Sequence, residues 1–387
     1  MNRDKLTSAL IAAGIISVAA AVQAEETQLS AVQTALASTT ISGYVDTSAH
    51  WNFGTGNASL PPYTPNGAPG GTKADGFNLD VVALTLTKPA ESEGWSAGYN
   101  ATFLFGPDAV GYNPSATGAA GDFSLKDTYV DLHAPLGNGL DIKLGTYTEV
   151  LGYEVFEAGN NPNYTRSYGY AIEPTQMTGM LAAYQFSSAV SANFGICDVW
   201  SAGVNARGFP AKAESFKTYM ASMTLTAPTN WGCLGGSTLS GGAINGYDAV
   251  NAVDKTSWYV GGTVNTPSSS LKVGAAFDYV MFGPNTIAGP SNPSGYQNAA
   301  AFYLNWAATG KLTFNTRADY FTQSGYLAAA GLPKRAFALT ETLQYDLWKN
   351  VLARAEFRWD HAADDSSPYS TGHDNVYLLA MNVIYKF

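Results

Sequence analysis

The chain has 387 residues and a formal net charge of −10, with charged and aromatic residues each making up 13% of it. A water-soluble domain carries about 25% charged residues, so much of this surface is built to face something other than water. The acidity excludes a nucleic-acid partner, whose phosphates demand a basic surface, and past residue 24 no run reaches the ~18 apolar residues of a membrane helix.

Residues 1–24 read as a signal peptide. Arg3 and Lys5 supply the positive start, Ala9 to Val22 an apolar core too short to span a bilayer, and Val22-Gln23-Ala24 the small residues of a cleavage site. Export would leave 18 basic and 29 acidic residues, a net charge of −11. In residues 25–39, Leu29, Val32 and Leu36 stand at helical spacing. A short periplasmic helix fits them, and so does a flexible lead-in, the simpler expectation.

Residues 40–387 repeat one unit: about ten residues of alternating character, then a break. Long breaks rich in Gly, Pro, Asn and Ser fall at 53–77, 107–122, 148–175, 200–215, 245–254, 283–296, 323–335 and 361–373. Short ones fall around Glu91–Gly94, Gly137–Gly139, Ser187-Ser188, Pro228–Asn230, Pro267–Ser269, Thr309-Gly310 and Trp348–Asn350. Eight long and seven short connections separate sixteen strands and leave both ends on one side, the pattern of transmembrane barrels of even strand number.

Alternation within the strands gives each a greasy and a wet face. Trp95, Ala97, Tyr99, Ala101, Phe103 and Phe105 oppose Ser96, Gly98, Asn100 and Thr102; Leu271, Val273, Ala275, Phe277, Tyr279 and Met281 oppose Lys272 and Asp278. Leu312, Phe314, Ala318 and Tyr320 oppose Asn315, Arg317 and Asp319. Val351, Ala353, Ala355, Phe357 and Trp359 oppose Arg354, Glu356, Arg358 and Asp360. In the last strand, Tyr377, Leu379, Met381, Val383, Tyr385 and Phe387 share a face, with Asn382 and Lys386 on the other. That strand should pair with both 351–360 and the first strand near Ile41 to Trp51. A soluble two-sheet protein would alternate too, but would not place arginines and carboxylates inside bulky apolar walls. Two places resist the pattern: Glu341 falls on the apolar face of 337–347, and the Gly-rich stretch 232–244 scarcely alternates. A bulge, a register error or a subunit contact would each account for them.

A run of motifs begins with Gly43-Tyr44-Val45-Asp46 in the first strand. It continues with Asp127-Thr128-Tyr129-Val130-Asp131-Leu132, Ala134-Pro135-Leu136-Gly137-Asn138-Gly139-Leu140 and Leu151-Gly152-Tyr153-Glu154. Asn160-Asn161-Pro162-Asn163-Tyr164-Thr165-Arg166-Ser167 and Thr178-Gly179 follow. Together they resemble the OmpL-like outer-membrane β-barrel porin family, most distinctively over residues 127–186. One departure is Met177, where the family pattern has a histidine. The aromatic Phe387 is similar to the C-terminus that outer-membrane barrels present for insertion. The resemblance implies passive transport of small solutes.

The expected fold is therefore all-β: a transmembrane antiparallel up-and-down β-barrel of about 16 strands, with a long inward-folding loop. Sixteen strands leave an aqueous channel where eight enclose only side chains, so the expected function is passive diffusion of small hydrophilic solutes and ions. The longest loop, 148–175, is the candidate constriction. Its Glu149, Glu154, Glu157, Arg166 and Glu173 would face lumen charges Arg317, Asp319, Arg354, Glu356 and Arg358, setting a transverse field that passes polar solutes. Two blander readings remain: the loop charges are solvated, and Arg317–Asp319 and Arg354–Glu356–Arg358 only satisfy each other. Net acidity hints at cations. Inward Tyr44, Tyr129, Tyr147, Tyr259 and Tyr303 would suit an alternative, an oligosaccharide-selective channel.

An adhesive or enzymatic barrel is a further alternative. Asp360-His361, His373-Asp374 and His50 flank outer loops, but adjacent strand residues point to opposite faces and no G-x-S-x-G motif is present, so no enzyme is expected. Four scattered histidines and two distant cysteines give no metal spacing, and Cys197 and Cys233, two strands apart, should stay free. No cofactor is expected. The partners expected are outer-membrane lipid, the permeating solutes and, by analogy with sixteen-stranded barrels, two further copies in a homotrimer.

Overall fold

The computed structural model describes residues 38–387 except 55, 58–59, 63–72, 74, 113–122, 201–202, 209–215, 250–251, 285–293, 325–331, 365 and 370–371. The expected signal peptide and nearly all of the lead-in segment lie outside the described residues.

The described residues form sixteen antiparallel strands in one closed sheet. The first eight are β1 (Thr40–Phe53), β2 (Gly76–Lys88), β3 (Ser96–Phe105), β4 (Phe123–Ala134), β5 (Leu140–Thr148), β6 (Gln176–Ser187), β7 (Val190–Cys197) and β8 (Thr218–Thr226). The rest are β9 (Thr238–Asp248), β10 (Val253–Asn265), β11 (Leu271–Phe282), β12 (Gly295–Ala307), β13 (Leu312–Gln323), β14 (Arg335–Trp348), β15 (Val351–Ala362) and β16 (Asn375–Lys386). Each pairs with its neighbours in sequence, and β16 closes the barrel on both β15 and β1. Past the last paired strand residue, Phe387 and Gly43 exchange backbone bonds of 2.9 and 3.0 Å. No sheet edge is left unpaired, which lets strands cross hydrocarbon. No described helix is long and apolar enough to do so.

The two faces sort as the alternation predicts. On β15, Arg354, Glu356, Arg358 and Asp360 point inward and are buried, while Phe357 is exposed outside. On β16, Tyr377, Met381, Val383 and Tyr385 are exposed, and Leu378, Ala380, Asn382 and Ile384 are buried within. Aromatics near strand ends, Trp95, Phe105, Trp306, Tyr320, Tyr345 and Tyr385 among them, are exposed on the outer wall.

β9 differs from its expected bounds. It starts at Thr238, so the connection before it runs 227–237, with a 3-10 turn at Gly232–Leu234, and the one after it spans only 249–252. Glycines cause the discrepancy. Gly241, Gly242 and Gly246 contribute no side chain to either face, so alternation fades while the backbone ladder continues unbroken to β8 and β10. Glu341 has no register error to explain it: the β13–β14 ladder runs straight through it opposite Thr316, whose hydroxyl donates to its carboxylate at 2.8 Å. The cysteines are free, Cys197 buried and Cys233 exposed.

Candidate functional site: the loop inside the barrel

The connection from β5 to β6, residues 149–175, folds into the lumen. It holds two short turns, Ala158–Asn160 and Tyr168–Ile172, and otherwise has no ladder to satisfy its backbone. Buried N–H and C=O groups must find partners somewhere. Here the barrel wall provides them.

β15 presents donors and acceptors in strict alternation along its inner face, at two-residue spacing. The Arg354 guanidinium donates to the carbonyls of Ala158 (2.8 Å), Asn161 (3.0 Å) and Asn163 (3.3 Å). Glu356 accepts the backbone N–H groups of Tyr164 (2.6 Å) and Thr165 (2.9 Å), and the Thr342 hydroxyl at 2.7 Å. Arg358 donates to the Arg166 carbonyl (2.5 Å) and doubly to Asp360 (2.7 and 2.8 Å). Asp360 in turn accepts from the Tyr168 hydroxyl at 3.0 Å. A period-two strand thus reads an irregular chain through the alternating polarity of its inward residues.

β13 holds the next stretch. Arg317, wholly buried, donates to Glu154 (2.9 Å), Asp319 (3.1 Å), the Thr165 carbonyl (2.6 Å) and hydroxyl (3.2 Å), the Arg166 carbonyl (3.1 Å) and the Thr340 hydroxyl (3.1 Å). Asp319 accepts the backbone N–H of Tyr168 at 3.1 Å. The other Glu154 oxygen accepts from the Ser167 N–H at 2.7 Å, and the Ser167 hydroxyl caps the turn that follows by accepting from Tyr170 N–H. Arg166 turns back on its own loop, donating to the carbonyls of Val155, Phe156 and Tyr164.

Apolar contacts set the rest. Tyr153 stacks on Tyr303 with ring centroids 4.0 Å apart, and Tyr168 on Phe321 at 5.2 Å. Two wall glycines make room. A Cβ on Gly242 would lie 2.8 Å from Leu151 and 2.5 Å from the Ala221 carbonyl, and one on Gly274 would meet the Tyr153 hydroxyl at 2.0 Å.

The expected residues fall into two groups. Glu154, Arg166, Arg317, Asp319, Arg354, Glu356 and Arg358 converge in one buried network. The arginines do not stand across open water from the loop acids, as the sequence reading had them. Arg166, Arg317 and Arg358 expose 1% or less, and their forks are filled by carboxylates and carbonyls because the irregular loop backbone needs those donors. The other three carboxylates go elsewhere. Glu157 pairs with Lys126 at 3.0 Å, which also holds Asp127 at 2.6 Å. Glu173 lies beside Gly152 in a group with Glu149, Glu154 and Asp278; burial, then the Asp278 charge, raises its carboxyl well above the usual range. Burial likewise pushes Glu149 up.

Lys126, Asp278, Thr340, Thr342 and Asp360 were missed as site residues. Asp278 and Asp360 sat on the narrow face of their strands, a signal available in the sequence; the pairing of Lys126 with Glu157, 31 positions away, left none. Among the inward tyrosines, Tyr147, Tyr259 and Tyr303 are covered, so they offer no open sugar-binding face. Asp360 points inward and His361 sits on the other face, its Nδ1 3.1 Å from the Asn375 side-chain oxygen.

A sequence model of the family described as "Putative beta-barrel porin-2, OmpL-like" matches residues 38–387. The chain belongs to that porin family. Solved structures similar to this porin include the outer membrane channel DcaP of Acinetobacter baumannii, at 13% identity and a TM-score of 0.58, covering 90% of this chain and 97% of that one. The anion-selective porin from Comamonas acidovorans gives 13% and 0.59, covering 90% and 99%. Salmonella typhi OmpF, in complex with daunomycin, gives 12% and 0.56, covering 90% and 97%. At such identities the likeness is one of fold. No curated protein matches this porin. Family and fold together make it an outer-membrane porin channel.

Proposed function

We propose that this porin passes small hydrophilic solutes and ions by passive diffusion, and that residues 149–175 form the constriction that limits their size. The observation carrying this reading is the fixed loop. Arg317, Arg354 and Arg358, with Asp319, Glu356 and Asp360, clamp it to β13 and β15, so it narrows the lumen as a rigid part of the wall. The site residues then divide by task. Glu154, Arg166 and the β13 and β15 charges position the loop. Glu157, whose side chain is 30% exposed beside the covered Lys126, meets passing solute, while Glu149 and Glu173, whose carboxyls burial raises, help seat the loop and do not charge the pore. Export under a signal peptide cleaved after Ala24, and assembly as a homotrimer, complete the proposal.

Single-channel recording of the purified protein in planar bilayers tests it. Discrete conductance steps that grow with salt concentration are expected, and no conductance at all would overturn it. Liposome swelling with sugars of rising size should show a smooth size dependence; saturation by one sugar would favour an oligosaccharide channel instead.

A further inference from the structure

The outer wall carries a trough of about 860 Å³ over β7 to β11, on the side of the barrel where β1 begins and β16 ends. Its floor is the cross-strand pair Gly262 and Ala275. Its sides are Leu225, Leu239, Val260 and Phe277, and its foot is Trp231 and Leu234. These last two project from the 227–237 connection, which backbone bonds fold into a fixed shelf: Ala227 and Gly236 or Ser237 bond across it, and Asn265 donates to the Gly235 carbonyl. The floor cannot fill in by drift at Gly262, where a Cβ would meet the Thr238 carbonyl at 2.2 Å. Small-molecule sites span ~300–1,000 Å³, so the trough has room for a ligand.

We infer that this trough binds an acyl chain of a phospholipid in the leaflet facing the periplasm. Depth argues for it. On β10 the trough runs from Val264 at the strand end up to Val260, about 13 Å at ~3.3 Å per residue. With a 35–45° strand tilt that is about 10 Å along the membrane normal, close to half of the ~25 Å apolar band. The trough therefore spans one leaflet and stops near the midplane. An apolar hollow stays dry, and at hydrocarbon depth, open to the bilayer, the apolar chain in reach is lipid. The lining turns polar at the foot, with Thr226, Ser237 and Thr238, where a headgroup would sit and where Trp231 marks the interface. A second copy would press on the full height of the wall, not on one leaflet of it.

Phospholipid retained through detergent extraction tests the inference. The full-length protein is reconstituted in phosphatidylethanolamine–phosphatidylglycerol vesicles, extracted and weighed by native mass spectrometry. The wild type should carry a bound phospholipid. Ala275→Phe and, independently, Val264→Trp should lose it, while Ala355→Phe, an equal enlargement on the exposed face of β15, should keep it. Heat-modifiable gel mobility reports whether each variant has closed its barrel. No lipid on the wild type, or equal lipid on the filled variants, would overturn the inference. So would crosslinking of two chains through the exposed Cys233 in the same vesicles, which would place a second copy there.

Discussion

Replacing Arg317 with alanine should release the loop from β13. Four of the side chain's bonds reach the loop, at Glu154, the Thr165 carbonyl and hydroxyl, and the Arg166 carbonyl. Truncation leaves Glu154 buried without its cation and takes a donor from the Thr165 carbonyl, while the Arg166 carbonyl keeps Arg358. Removing one partner of a buried ion pair costs about 3–5 kcal/mol, which lowers the ratio of docked to undocked loop by roughly 10² to 10³·⁶. Trypsin reads that ratio directly, because Arg166 is only 1% exposed when docked and is cleavable when the loop swings free. The folded variant should be cut after Arg166 and show larger, noisier single-channel conductance, with the wild type resisting both. Arg317→Lys, which keeps the charge but not the planar fork, should fall between. An Arg317→Ala barrel that is closed, resists trypsin at Arg166 and conducts as the wild type does would refute the anchoring argument.

Three further outcomes follow from named residues. Burial raises the Glu173 carboxyl, so the docked loop holds a proton that the undocked loop would release. Docking at this end is full below the free carboxyl's pKa of ~4.3 and weakens as pH rises toward the raised value. Gating noise should grow with pH in that window, and Glu173→Gln should flatten the trend; an unchanged trend would assign it to another group. Glu341 sits mid-strand on the outer face, where among the described residues Thr316 pairs with it, so Glu341→Leu should raise stability to urea by up to ~2 kcal/mol. A fall would mean that a neighbouring subunit pairs with the carboxylate. Finally, a membrane-impermeant maleimide added to the folded protein should label Cys233 and leave Cys197 until denaturation, as mass mapping would show; early labelling of Cys197 would contradict its burial.

The barrel was legible because a wall between lipid and water forces a period of two on every strand. Arg354, Glu356 and Arg358 stood out on β15 for that reason. β9 was misplaced because Gly241 and Gly242 give the period nothing to act on, and the ladder that holds them is backbone. The loop's position was legible from its length, but its partners were not. Tyr164 and Thr165 offer Glu356 their backbone N–H groups, which every sequence has. The arginines were read as facing the loop's acids, and one of them, Arg317, does meet Glu154; the carbonyls they also serve were not foreseen, since nothing local marks a carbonyl that will need a donor.

The clamp on the loop also orders the assembly of the molecule in time. Tyr164 meets Glu356 across 192 residues, Thr165 meets Arg317 across 152, and Thr47 meets Val383 across 336. Contacts of such separation close late, since the chain entropy must be surrendered before they return anything. A nascent barrel lacking β13 to β16 has two raw edges and a loose loop at once, and every segment of it invites association with another chain. The lumen can therefore be furnished only as the wall is sealed. A chain truncated after β12 should behave as an aggregation-prone sheet, and not as a smaller pore.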